Sequence, residues 1–224
     1  MENNYRHEYK FLISSEAAQL LKLRLPHVMR RDPHAGAAKS YTIRSLYFDD
    51  PSYQAFHDKL TGVDDRVKYR IRCYNYDETH FRLEKKEKKG HLTRKTGQTI
   101  DRETVLQLQK DPINCRADGL ANELRLQCVC AALRPAVIVD YDRTPFVCHA
   151  GNTRITLDEN LRTVPHCKDI FGQAHAMVPI LEPGESILEV KFDDFLPGYL
   201  SDVLSDLPKA PMAISKFAMC LNLI

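Results

Sequence analysis

From Arg66 to Tyr74 the chain reads Arg-Val-Lys-Tyr-Arg-Ile-Arg-Cys-Tyr, with a basic residue at every second position through Arg72 and Val67, Tyr69, Ile71 and Cys73 between. Successive side chains of a β-strand point to opposite faces. This period of two therefore predicts a strand with a row of cations on one face and an apolar to aromatic row on the other. Like charges in a row repel, so the arrangement calls for counter-anions, either acidic side chains or a bound polyanion. The same period recurs along the chain. Tyr5 to Ile13 aligns Arg6, Glu8 and Lys10, and Tyr41 to Phe48 reads as a second strand. Phe81 to Lys88 aligns Arg82, Glu84, Lys86 and Lys88; its other face carries Lys85 and Glu87, so its far end is expected to run into solvent. After a turn at Lys89-Gly90, His91 to Ile100 returns as the antiparallel partner, carrying Arg94 and Lys95.

In the second half, Ala136 to Arg143 aligns Val139, Tyr141 and Arg143. Phe146–His149 and Arg154–Asp158 make a hairpin about Ala150-Gly151-Asn152, with Arg154, Thr156 and Asp158 on one face. Ser186 to Asp193 aligns Glu189, Lys191 and Asp193. Helices fill the gaps. Ser14 or Ser15, with Glu16 in the first turn, opens one that runs to about Leu25. Asp50-Pro51 caps and opens a short one to about Leu60. Asp101 caps Arg102–Lys110, and a further helix spans about Asp118 to Leu133, stopped by Pro135. Pro197-Gly198 leads into another through about Leu207, and Ser215-Lys216-Phe217 opens the last. Arg30–Lys39 and about Arg162–Gly172 read as loops.

An open sheet resting its apolar face on helices would leave these charges in bulk water. A closed antiparallel barrel with helices packed outside would gather them in a lumen, and it accounts for the strict alternation. The expected fold class is α+β: a closed barrel of about eight strands, with residues 1–224 as one domain.

Composition narrows the ligand. A net charge of only +2 means that any polyanion site comes from the placement of charge, which argues against a non-specific nucleic-acid coat. Seven cysteines, an odd number with no C-x-x-C pair, disfavour a disulfide framework or zinc site and fit a reducing cytosol. His149 beside Cys148 and His166 beside Cys167 lack ligand spacing. The amino terminus has no apolar leader, and no apolar run approaches the ~18–20 residues of a membrane span, so a soluble, cytoplasmic chain is expected.

A lumen lined by Lys10, Arg70, Arg72, Lys86, Arg143, Arg154, Lys191 and Lys216 would be strongly electropositive. Arginine forks bind phosphate oxygens bidentately and lysines act as mobile point charges. Glu8, Glu84 and Glu189 either neutralise those cations or hold a divalent metal that bridges phosphate oxygens. The combination suits a linear phosphate chain such as that of a nucleoside triphosphate. Arg66 and Lys68 are expected at a solvated rim, and Tyr69, Tyr74 and Tyr76 read as packing rather than base-stacking residues, which also disfavours nucleic acid.

Several segments together resemble a known family. They are Arg6–Phe11, Arg44–Asp50, Lys68–Arg72, Leu83–Lys86, Tyr141–Arg143, Arg154–Asp158, Leu188–Phe192 and Ser215–Phe217, in family order over nearly the whole chain. The family is the VTC domain, the polyphosphate polymerase module of the vacuolar transporter chaperone complex, within the triphosphate tunnel metalloenzyme (CYTH-like) superfamily. The resemblance implies an antiparallel β-tunnel that binds the triphosphate of ATP and transfers its terminal phosphoryl group to a growing polyphosphate chain, with Mn2+ (or Mg2+). It implies that Lys10, Arg70, Arg72, Lys86, Arg143, Arg154 and Lys216 hold phosphates, with Tyr141 as a hydroxyl donor and Lys95, Lys191 and Ser215 in support. Glu189 would be the metal ligand and Glu8 a second. Phosphoryl transfer rests mainly on positioning and charge neutralisation, so no nucleophilic side chain is expected. A metal-dependent triphosphatase using the same cations with water as acceptor is the alternative, and a non-catalytic polyphosphate binder a third. Lacking a membrane segment, the chain would need a membrane partner if its product is translocated.

Overall fold

In a computed structural model of the protein, each alternating segment of the sequence forms a strand; the structure describes residues 6–90, 92–165, 169–171, 177–208 and 210–223. The strands are β1 (His7–Ser14), β2 (Arg30–Arg31), β3 (Tyr41–Asp49), β4 (Arg66–Tyr74), β5 (Phe81–Lys89), β6 (Leu92–Ile100), β7 (Arg134–Cys148), β8 (Thr153–Thr163), β9 (Val178–Pro179) and β10 (Glu185–Phe192). The helices are α1 (Ser15–Arg24), α2 (Gln54–Thr61), α3 (Arg102–Lys110), α4 (Gly119–Cys130), α5 (Gly198–Val203) and α6 (Lys216–Leu221). Tyr5, His91, His166 and Cys167, which figure in the sequence reading, lie outside the described residues.

The caps explain where helices begin. Ser14 accepts from the backbone N–H of Ala17 at 3.3 Å and Asp101 from that of Thr104 at 2.8 Å, each satisfying a donor that the first turn leaves open. The start of α2 differs from expectation. Tyr53 adopts a left-handed conformation, so the helix begins only at Gln54. Asp49, at the end of β3, accepts from the N–H groups of Ala55 and Phe56 at 2.9 and 3.1 Å, and Asp50 accepts from Ser52 and Gln54.

The hydrogen-bonded strand order is β1-β10-β8-β7-β3-β4-β5-β6, with β2 beside β7 and β9 beside β8. The order ends at β1 and β6, so the sheet is not closed by hydrogen bonds, and the closed barrel expected from the sequence is not found in that sense. Alternation dictates which face each side chain takes; it carries no information on whether the end strands pair. The fold is α+β, with one large antiparallel sheet and helices on its apolar faces.

The chain forms two compact units, each discontinuous in sequence. The first comprises Met1–Thr42, Tyr141–Leu161 and Leu181–Ser215. Its core sets Ile13, Ile155, Leu157, Leu188 and Val190 of the strands against Ala18 and Leu21 of α1 and Leu200 of α5. The second comprises Ile43–Asp140, Arg162–Ile180 and Lys216–Ile224. There Leu46, Phe48, Tyr69, Ile71, Phe81 and Leu83 pack on Val105 and Leu108 of α3 and Leu120 and Leu124 of α4. Burying a Leu or Ile side chain contributes about 1.5–3 kcal/mol, so these apolar rows fix which way each strand faces and leave the charged files on the other side.

Lys89 at the far end of β5 is exposed, while Lys85 and Glu87 are half-buried. Lys85 bridges Glu87 at 2.8 Å and Glu123 of α4 at 2.6 Å, and Glu123 also accepts from the Tyr69 hydroxyl at 2.6 Å. The helix side of β5 thus ends in a polar clasp on α4. Six cysteines are described, all free and four of them buried. No helix among the described residues is long and apolar enough to cross a membrane.

Candidate functional site

In the first unit the charged face is built by β1, β10, β8 and the distal part of β7. The register sets Lys10 opposite Glu189, Glu8 opposite Lys191, and Lys191 opposite Arg154. Lys10 Nζ contacts Glu8 at 3.0 Å and donates to the carbonyl of Ile214 at 3.2 Å, next to Ser215. Lys191 Nζ contacts Glu189 at 2.7 Å and lies 4.0 Å from Glu8. Arg143 presents two nitrogens to Asp158, at 2.6 and 2.7 Å, and reaches Glu189 at 3.2 Å. Burial opposes the charge on Arg143, but the carboxylate of Asp158 outweighs it and holds the guanidinium pKa well above its usual value. Tyr141 is buried, with the Arg143 guanidinium 5.3 Å from its ring centre. Arg154 pairs with Asp32 at 2.9 Å and donates to the Tyr41 hydroxyl at 3.1 Å. Arg154 Nε and the hydroxyl of Thr156 are buried with no hydrogen-bond partner among the described residues.

In the second unit the face of β4–β6 carries cations almost alone. Arg66, Lys68, Arg70 and Arg72 stand on β4, Arg82, Lys86 and Lys88 on β5, and Lys95 on β6 opposite Lys86; Glu84 is the single carboxylate among them. Glu84 is 6% exposed. It accepts from Arg70 Nε at 2.6 Å and contacts Lys95 at 2.9 Å, with Arg72 at 4.0 Å. Burial works against its charged form, yet Arg70, Arg72 and Lys95 together outweigh that and hold the carboxyl at about 2. Tyr47 accepts from Arg70 at 2.8 Å. Burial again opposes ionisation of this phenol, but Arg70, Arg72 and Lys216 draw its pKa below the ordinary value, which sets Lys216, at the start of α6, in the field of the same cluster. Lys68 is not at a solvated rim: it is half-buried, with its ammonium 4.3 Å from the centre of the Phe217 ring.

The sequence-derived residues therefore fall in two sets. Glu8, Lys10, Tyr141, Arg143, Arg154, Glu189, Lys191 and Ser215 belong to the first unit, and Arg70, Arg72, Lys86, Lys95 and Lys216 to the second. Asp32, Asp158 and Tyr41 escape the sequence reading as site partners. Asp32 and Tyr41 lie over a hundred residues from Arg154 and carry no motif of their own, whereas Asp158, aligned with Arg154 and Thr156, could have been found from its file.

A divalent cation finds hard oxygen donors here. Glu8 and Glu189 lie on adjacent strands with side chains on one face, each already bonded to a lysine. No group of three His, Cys, Asp or Glu side chains among the described residues forms a metal cage. This donor set fits an ion of the Mg2+ or Mn2+ class that takes one or two carboxylates from the protein and the rest of its shell from phosphate and water.

Comparison with known proteins follows the same line. The family model of the VTC domain matches residues 5–224. No curated protein matches the sequence. Among solved structures the chain is similar to a protein from Bacillus halodurans provisionally named an adenylate cyclase, at 16% identity over 95% of this chain and 94% of that one, TM-score 0.54. It is also similar to a protein from Pyrococcus horikoshii OT3 (13% identity, 98% and 100% covered, TM-score 0.53) and to a conserved hypothetical protein from Pyrococcus furiosus (11%, 98% and 100%, 0.52). At these identities the likeness is one of fold. With its motifs in order, its charged files on strand faces and the family model spanning it from residue 5 to residue 224, the chain belongs to the VTC domain family.

Proposed function

We propose that the chain is a polyphosphate polymerase that transfers the terminal phosphoryl group of ATP to a growing polyphosphate chain, with Mn2+ or Mg2+, as a single VTC domain acting in the cytoplasm. The observation that carries this reading is the β4–β6 face, where eight cationic side chains meet one carboxylate. A row of cations at close spacing is the complement of a chain of phosphates. Two of the buried donors with no hydrogen-bond partner among the described residues, Arg154 Nε and the Thr156 hydroxyl, support the same ligand class.

In this reading Arg70 and Arg72 grip phosphate oxygens with planar forks, while Lys86, Lys95 and Lys216 follow the chain as point charges. Arg143 and Arg154 do the same in the first unit, aided by Lys10, Lys191, Ser215 and the Tyr141 hydroxyl. Glu189 and Glu8 would hold the divalent ion, which supplies further charge neutralisation on phosphate oxygens when bound. No residue needs to form a covalent bond, because holding donor and acceptor in line and neutralising their charge lowers the barrier. The carboxylates now paired with the arginines keep those cations in place and soluble until phosphate replaces them.

The test incubates purified protein with ATP and Mn2+ and follows polymer on a gel alongside free phosphate. Polymer made by the wild type and lost in Lys216→Ala and Glu189→Ala supports the polymerase. Phosphate release without polymer replaces it with a triphosphatase, and tight polyphosphate binding with neither product replaces it with a binding module.

A further inference from the structure

Two hydroxyl side chains stand beside the arginines of β4. Strand β3 pairs with β4 so that Ser45 lies opposite Arg72 and Tyr47 opposite Arg70, which puts both hydroxyls on the side of the sheet that carries the cationic file. Ser45 is fully buried and accepts from Arg72 Nε at 3.3 Å. Tyr47 is only half-buried, so of the two it is the one that borders solvent. Its ring packs on Phe217 of α6, with centroids 5.0 Å apart, and its oxygen accepts from Arg70 at 2.8 Å. Arg70 is itself held by Glu84. Ring and hydroxyl are thus both positioned by residues of the second unit.

This setting suits a reactive phenol better than a packing one. Burial opposes ionisation of Tyr47, but the charges of Arg70 and Arg72, the hydrogen bond from Arg70 and the charge of Lys216 outweigh it, so the phenolate forms more readily than that of an ordinary tyrosine. Tyr69, on the opposite face of β4, is the contrast: burial and donation to Glu123 push its pKa up. A phenolate is an oxygen nucleophile, and cations that stabilise it also stabilise a phosphoryl group bonded to it.

We propose that the Tyr47 hydroxyl accepts the terminal phosphoryl group of a nucleoside triphosphate, which makes Tyr47 a site of self-phosphorylation. The inference rests on the reading of this face as one that holds a triphosphate for transfer, and it adds an acceptor that belongs to the protein. Chain growth between phosphates still needs no covalent step; reaction at Tyr47 is a second fate of the same phosphoryl group. The Tyr47 oxygen forms a bond to the terminal phosphorus, the bond from that phosphorus to its bridging oxygen breaks, and the nucleoside diphosphate leaves with the electron pair. The phenolic proton goes to solvent. The product is a phosphate monoester whose charge is favoured beside Arg70, Arg72 and Lys216.

The experiment treats the purified full chain with phosphatase, removes the phosphatase, and incubates the chain with Mn2+ and ATP labelled in its terminal phosphate. Denaturation then strips nucleotide and polymer that are not covalently bound, and the remaining label is challenged with acid and with alkali and mapped by peptide mass spectrometry. A phosphotyrosine survives both treatments, whereas alkali cleaves phosphoserine and phosphothreonine and acid cleaves phosphate on a lysine or histidine nitrogen. The wild type should carry stable label on the peptide that contains Tyr47. Tyr47→Phe, which keeps a ring against Phe217, should lose that label, and Ser45→Ala should keep it. ATP turnover by the wild type with no stable label on Tyr47, or equal label in wild type and Tyr47→Phe, overturns the inference and leaves the triphosphate reading of the face standing. Failure of the wild type to turn over ATP at all, to polymer, free phosphate or protein ester, overturns both. Should Tyr47→Phe fold poorly, the mapped position in the wild type decides alone: stable label confined to other residues refutes the inference.

Discussion

Glu84→Gln isolates the charge that holds the β4–β6 face together. The substitution keeps the size and shape of the side chain and removes its charge. A carboxyl held at about 2 rather than 4.5 prefers its charged form in the folded protein by about 3 kcal/mol. Because the folded value is depressed, that stability is fully present above about pH 5, where the unfolded carboxyl is also ionised, and it is lost as pH falls toward 2. Urea denaturation should show Glu84→Gln less stable than wild type by about 3 kcal/mol near pH 7, narrowing to roughly 1 kcal/mol by pH 3. Inorganic tripolyphosphate should restore more stability to Glu84→Gln than to wild type, since Arg70, Arg72 and Lys95 are then left without their carboxylate. A stability difference that stays constant from pH 5 to 3 would refute the reasoning, because it would trace the loss to packing or hydrogen bonding. So would a variant as stable as wild type near neutrality.

Three further outcomes are expected. Asp158→Asn removes the fully buried carboxylate that holds both nitrogens of Arg143, and should cost about 3–5 kcal/mol in denaturant unfolding; a loss below about 1 kcal/mol would show that the pair is dispensable. Gly151→Ala should lower the melting temperature by about 4–8 °C, corresponding to about 2 kcal/mol, because the residue has φ +61° and an added Cβ would run into the carbonyl oxygen of Phe195; an unchanged melting temperature contradicts that geometry. Tripolyphosphate affinity should weaken steadily with added salt, as attraction to a partly exposed cationic face is screened, and a salt-independent affinity would rule out the β4–β6 face as its site.

Much of this was legible in the sequence because strand periodicity and helix caps are local. The files at Arg66–Arg72, Phe81–Lys88 and Glu189–Lys191 take the faces that alternation demands, and Ser14 and Asp101 cap the helices they precede. What escaped the reading depends on residues far apart in the chain. Closure of the sheet turns on β1 and β6, whose own sequences say nothing of each other. Arg154 finds Asp32 and Tyr41 across more than a hundred positions, and the clasp from Lys85 to Glu123 joins a strand to a helix with no shared motif. Lys68 was expected at a rim, and the Phe217 ring on which its ammonium rests comes from the last helix, far from it in sequence. Charge pattern shows where cations stand, while burial and partner choice are settled only by packing.

The pairing of β1 with β10 also bears on how the protein is made. Ser14 faces Glu185, so the first strand emerges about 170 residues ahead of its partner. At roughly 5–20 residues per second, His7 to Ser14 waits on the order of 10–35 s during synthesis with its apolar side uncovered. The first unit also needs β8 before its core can close. Its folding is therefore dominated by non-local contacts, slow by topology, and dependent on the nascent chain staying shielded until β10 has emerged from the ribosome.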